Sequence, residues 1–268
     1  MGVVEATRAV AREHVLVAML GNIPRLVSDP VWRADDPDEG RGLGVLLVPG
    51  FGFGDWSLQL ARTWLRKRGY APIRARIGMN VGCTSELVDR LERRLEQHAE
   101  ATGGRVVLFG QSRGGGLARL VSVRRPDLVR GLVMLASPVL DQLGAHPSVV
   151  RVARTLARLS RAGVPGLLDE DCFAGPCYDT NSTAMAEPLQ VPAIAVFSRN
   201  DLIAPWELCA DPCADCVEVG STHTGMGLDP EVYRLLAPRL AAWARDREPV
   251  TTSAAERPMA EAAAATTG

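Results

Sequence analysis

The chain has 268 residues, of which 47% are hydrophobic and 23% charged, and its formal net charge is -1. That size and apolar content suit one large α/β domain, and the balanced charge gives no reason to expect nucleic acid or an anionic membrane as partner. No run approaches the ~20 apolar residues of a membrane span, and residues 15–20, preceded by Glu5 and Glu13, are too short for a secretory core. A cytoplasmic protein with no integral membrane segment is therefore expected.

Residues 1–41 read as an N-terminal extension, helical up to Asn22-Ile23-Pro24, then a polar Pro/Gly/Asp-rich connection. Val45-Leu46-Leu47-Val48 is a continuous apolar run and reads as a buried strand. It ends in Pro49-Gly50-Phe51-Gly52-Phe53-Gly54. Asp55 or Ser57 caps a helix through Leu65, closed by Gly69, and residues 71–76 form a short extended piece. Thr84 or Ser85 caps the next helix, whose apolar stripe is Leu87, Val88, Leu91 and Leu95, and Gly103-Gly104 stops it.

Residues 105–109 form a further buried strand, and 115–121 a helix. Strands follow at 132–136, 193–197 and 216–219, with a closing helix over 231–247. This alternation predicts an α/β domain over 42–247, with a mostly parallel sheet and helices on both faces. Residues 248–268 are Ala/Thr/Glu-rich without apolar period and are expected to be a disordered tail.

The stretch from about 138 to 190 breaks the strand–helix rhythm. It is too long for a plain loop and holds a helix over 148–161, so it reads as a cap or lid. Arg151, Arg154, Arg158 and Arg161 recur on one face of that helix. A solvated face is the simple reading; a dock for an acyl carrier protein or phosphopantetheine is the sharper one.

Six cysteines are present, and in a cytosolic chain reduced thiols are the default. Cys209, Cys213 and Cys216 have a zinc-like spacing but lack a clear fourth ligand. Cys172 and Cys177 are near enough in sequence for a local disulfide under oxidising conditions.

The chemistry concentrates at Gly110-Gln111-Ser112-Arg113-Gly114, placed between a strand and a helix. In that context the turn holds its serine in a strained conformation at a helix start, flanked by glycines because a Cβ would clash. Ser112 is the candidate nucleophile, and it needs a histidine base oriented by a carboxylate. Of four histidines, His14, His98 and His146 lie in an early helix, a charged helix and the cap. Only His223 follows a strand end, where α/β sheets place catalytic groups.

Asp201, after the strand at 193–197, is the candidate acid, with Asp141 as runner-up; Asp229, before Pro230, reads as a helix cap. The N–H groups of Phe51 and Arg113 are the candidate oxyanion donors. Neither a phosphate-binding Gly-x-x-x-x-Gly-Lys nor a dinucleotide-binding Gly-x-Gly-x-x-Gly occurs in the required context.

These residues resemble the α/β-hydrolase family, from about Gly42 to Ala242. The resemblance rests on Pro49-Gly50-Phe51-Gly52, Gly110-Gln111-Ser112-Arg113-Gly114-Gly115, Ser198-Arg199-Asn200-Asp201 and Gly220-Ser221-Thr222-His223. The finer pattern is similar to bacterial lipase- and esterase-like members. It implies cleavage of a carboxylic ester through an acyl-serine intermediate, without cofactor or metal. Pro49 stands where many members have histidine. Arg113 stands where most have a small or apolar residue, and it either steers an anionic substrate or enters a salt bridge behind the helix.

The cap is expected to supply an acyl pocket from Leu140, Leu143, Leu167, Leu168 and Phe173. The substrate is then a small ester or thioester. Two alternatives keep the same fold: an acyltransferase or cyclising thioesterase with the same three residues, and a binding module without catalysis.

Overall fold

A computed structural model describes residues 15–246. Its six strands are β1 (Gly44–Val48), β2 (Ala71–Arg74), β3 (Val106–Gln111), β4 (Val129–Leu135), β5 (Ala193–Phe197) and β6 (Asp215–Glu218). They form one sheet in the order β2-β1-β3-β4-β5-β6, and every pairing is parallel. The helices are α1 (Val15–Ser28), α2 (Pro30–Arg33), α3 (Gln59–Lys67), α4 (Thr84–Thr102), α5 (Arg113–Arg124), α6 (Pro147–Arg161), α7 (Pro176–Ala186), α8 (Trp206–Cys209) and α9 (Pro230–Arg245).

The continuous apolar runs have a simple cause. Successive strand residues face opposite sides of a sheet, and here both sides are covered. Leu47, Phe109, Val133 and Ile194 lie in register across four strands and share a cluster with Trp64, Tyr233, Leu236 and Leu240. Their neighbours Leu46, Leu108 and Leu132 face the other way, onto Leu87, Leu91 and Leu95 of α4 and Leu117 and Leu120 of α5.

Two local expectations change. α1 continues through Pro24 to Ser28 instead of ending there. The connection after it is not merely polar: Asp29 caps α2 by accepting from the Val31 N–H at 2.9 Å, and α2 buries Trp32. The Trp64 indole then donates to the Val31 carbonyl at 2.9 Å, which anchors this segment to α3.

The segment between β4 and β5 carries α6, a single 3-10 turn (Glu170–Cys172) and α7. It has an apolar cluster of its own, built from Ala157, Leu168, Cys172, Phe173 and Cys177, and α7 lies against α4 and α5. Among the described residues no helix is long and apolar enough to cross a membrane. The expected tail at 248–268, the start of the N-terminal extension and His14 lie outside the described residues.

Candidate active site

Ser112 occupies the one-residue turn between β3 and α5, with φ 54° and ψ -130°. A non-glycine residue at positive φ is strained and persists only where its surroundings enforce it. The enforcement here is close packing. A Cβ on Gly110 would lie 2.4 Å from the Gly115 Cα, and one on Gly114 would lie 2.3 Å from the Val48 carbonyl oxygen. Only glycine lets α5 approach β1 and β3 closely enough to push the serine out.

His223 follows β6 and Asp201 follows β5, so both arrive at the same sheet edge as Ser112. His223 Nε2 lies 3.0 Å from Ser112 Oγ, and Nδ1 lies 2.7 Å from Asp201 Oδ2. The other carboxylate oxygen, Oδ1, accepts from the Ile203 and Ala204 N–H groups, each at 2.8 Å. Asp201 is thereby fixed in rotamer with one oxygen turned to the imidazole, and its side chain is only 1% exposed. The Gln111 amide donates to the His223 carbonyl at 3.1 Å and ties the histidine loop to the serine turn.

The rivals have other work. Asp141 accepts from the Leu143 N–H at 2.9 Å in a local turn, and Asp229 caps α9 through the Glu231 N–H at 3.0 Å. His146 caps α6. His98 is buried with Nε2 2.7 Å from the Ala71 carbonyl, and burial holds its pKa below the usual value.

The sequence matches the model of the alpha/beta hydrolase family over residues 45–267. The chain belongs to that family. Among solved structures, the hydrolase is similar to a monoacylglycerol lipase from Paleococcus ferrophilus, at 19% identity and TM-score 0.52, covering 75% of this chain and 96% of that one. A lipase from Bacillus licheniformis matches at 14% identity and TM-score 0.55, covering 79% and 96%. An esterase from Thermogutta terrifontis matches at 21% identity and TM-score 0.51, covering 76% and 91%. No curated protein matches the hydrolase.

The loop after β1 touches the serine of the hydrolase: a Cβ on Gly50 would lie 3.3 Å from Ser112 Cβ. A residue missed by the sequence reading holds this loop. Asn80, fully buried and at φ 48°, donates from Nδ2 to the Pro49 carbonyl at 2.6 Å. Its tolerance of positive φ is the only signal the sequence offered. Arg113 in turn donates from Nη1 to the Asn80 carbonyl (2.9 Å) and Oδ1 (3.2 Å), and from Nη2 to Gly82 O (2.8 Å) and Thr84 Oγ1 (3.1 Å).

The expected salt bridge behind the helix is therefore absent. Among the described residues Arg113 makes no ion pair, and its guanidinium braces the Asn80 turn through neutral oxygens. Burial pulls its pKa down to about 10, which leaves it cationic at neutral pH.

A cavity of about 120 Å³ opens at Ser112 and His223. Leu117 and Leu120 of α5 line one side, and Leu143, Val149, Leu168 and Phe173 of the β4–β5 insertion line the other. Leu140 and Leu167, also expected there, are not in the lining. Leu140 is 53% exposed, and Leu167, in a bend, is only partly buried where Leu168 is buried. On α6, Arg154 stacks over the Phe173 ring at 5.2 Å and Arg161 pairs with Glu170 at 2.8 Å, so half of the arginine face is engaged within the insertion.

All six cysteines are free thiols. The disulfide allowed for Cys172 and Cys177 under oxidising conditions is not formed in this structure, where their sulfurs are 3.8 Å apart. The Cys209, Cys213 and Cys216 spacing does not assemble a ligand set either, since Cys209 is buried while Cys213 and Cys216 are exposed.

Proposed function

We propose that this hydrolase cleaves small carboxylic esters or thioesters through an acyl-serine intermediate. The observation that carries the reading is the Ser112–His223–Asp201 array, with its 3.0 Å and 2.7 Å contacts, at the mouth of an apolar cavity.

In this reading His223 Nε2 takes the Ser112 proton as Oγ attacks the acyl carbon. Asp201 keeps the Nδ1 proton facing it and stabilises the imidazolium. The negative charge on the acyl oxygen falls between the Phe51 and Arg113 N–H groups, neither of which hydrogen-bonds to another described backbone group. His223 then gives its proton to the leaving alcohol or thiol. A water, deprotonated by the same nitrogen, releases the acid and restores Ser112.

The β4–β5 insertion serves as the cap in this account, and its apolar side chains receive the acyl chain. A dry apolar cavity of ~150 Å³ holds a benzene-sized ligand. A volume of about 120 Å³ accordingly favours short acyl groups.

The test uses wild type and Ser112→Ala with a fluorophosphonate and with p-nitrophenyl esters of increasing chain length. Expected are labelling and turnover in wild type only, with turnover falling as the chain lengthens. A folded wild type that neither labels nor turns over any ester would overturn the reading.

A further inference from the structure

Outside the serine site, three thiols converge. Cys83 immediately precedes α4, Cys172 ends the 3-10 turn of the insertion, and Cys177 lies in the first turn of α7. The Cys83 and Cys177 sulfurs are 3.6 Å apart and those of Cys172 and Cys177 are 3.8 Å apart, with all three within 4.8 Å of one another. Two are buried and the third is half-buried.

This spacing is that of thiols in contact, and it also fits a shared metal ion. Zinc–sulfur bonds of about 2.3 Å at tetrahedral angles set their sulfurs about 3.8 Å apart. A disulfide would need two sulfurs to close to about 2.0 Å and would strand the third. Polar groups surround the cluster, and Cys172 Sγ donates to Asp169 Oδ1 at 3.4 Å. Asn181, fully buried, directs Nδ2 to Cys177 Sγ at 3.5 Å and to Ser85 Oγ at 2.9 Å, while Ser85 Oγ lies 3.2 Å from the same sulfur. Such outer donors orient and tune metal-bound thiolates.

Charge completes the case. Three thiolates and one divalent cation leave a single negative charge. Arg113, whose hydrogen bonds all go to neutral oxygens, brings a cation to the residues on either side of Cys83 through Gly82 O at 2.8 Å and Thr84 Oγ1 at 3.1 Å.

We propose that Cys83, Cys172 and Cys177 form a zinc site that pins the β4–β5 insertion to the first turn of α4, beside the acyl cavity. Each thiol that loads gives its proton to solvent, and no sulfur changes oxidation state. Three protein ligands leave the fourth position to water. Because Cys172 also lines the cavity, the metal fixes one wall of the pocket.

The test purifies the full chain from zinc-supplemented medium without chelator and measures metal per chain by mass spectrometry. Expected is one equivalent of zinc, with Cys83, the half-buried member of the set, alkylated only after chelation. After chelation, cobalt(II) refills the site and gives sulfur-to-metal charge-transfer and tetrahedral ligand-field bands. Cys83→Ser and Cys172→Ser lose both signals, whereas Cys209→Ser keeps them. The chelation and refilling use wild type, so a variant that fails to fold does not decide the matter. Zinc well below one equivalent with no cobalt bands, a preference for copper(I), or a disulfide among these three cysteines in unreduced protein would each overturn the proposal. Fluorophosphonate labelling of the metal-free protein reports on Ser112 separately, so the two readings fail independently.

Discussion

The Asn80 side chain donates to the Pro49 carbonyl across 2.6 Å, so one buried amide holds the loop that carries Phe51 against the serine turn. Asn80→Gly keeps the positive φ and removes the side chain that serves both the Pro49 carbonyl and Arg113. Expected is a fall in kcat of roughly 10- to 100-fold with little change in KM, below the ~10²–10³ loss for deleting an oxyanion donor outright. Steady-state kinetics on a short p-nitrophenyl ester checks the split. An unchanged kcat would remove Asn80 from the positioning of that loop.

Asp201→Asn tests the orientation of the imidazole. An amide in place of the carboxylate must set its NH2 group against either the Ile203 and Ala204 N–H donors or the His223 Nδ1 proton. The expected outcome is a drop in kcat on the order of 10⁴, as for loss of the correct tautomer in serine proteases, with the fold retained. Circular dichroism and kinetics on the same preparation separate the two effects.

Two glycines of α5 predict opposite outcomes. A methyl on Gly114 meets the Val48 and Pro49 carbonyl oxygens at 2.3 and 2.5 Å, so Gly114→Ala should cost about 1–3 kcal/mol or more and abolish labelling of Ser112. A methyl on Gly116 meets only Met185 Cε, at 3.7 Å, within the cavity lining. Gly116→Ala should stabilise the helix by about 0.5–1 kcal/mol and shift ester preference toward shorter chains. Urea titrations and chain-length profiles read both.

His98 gives the protein an acid-sensitive contribution to stability. Burial lowers its pKa in the folded state below the unfolded value of 6.5, so the unfolded chain binds the proton more tightly. The contribution is complete above that unfolded value. It falls as the pH drops below 6.5 and levels off once the folded pKa is passed. His98→Gln should flatten that part of the stability–pH curve. Equal slopes for wild type and variant would exclude His98 as the source.

Much of this architecture is legible in the residues because local and global demands agree. The runs at 45–48, 132–135 and 193–197 are apolar at every position, as strands covered on both faces must be, and the Ser112 turn carries its glycines where contact forbids a Cβ. The reading fails where contacts are distant in sequence. Asn80 is an ordinary asparagine until Pro49 and Arg113 arrive. The cysteines that cluster include Cys83, some ninety positions before its partners, whereas the motif-like spacing at 209–216 brings nothing together. In the insertion, Leu140 and Leu143 look alike on paper and separate only by packing.

The order of the strands has a consequence for how this enzyme is made. In the proposed mechanism the acid and the base follow β5 and β6, two and three crossovers beyond the serine turn, and parallel pairings close slowly because long loops must be ordered first. A nascent or truncated chain can therefore build the Ser112 turn and half the sheet while remaining chemically inert. Under the proposed mechanism, reactivity emerges with the last stretch of chain, so acylation competence reports completion of the domain and not the appearance of Ser112.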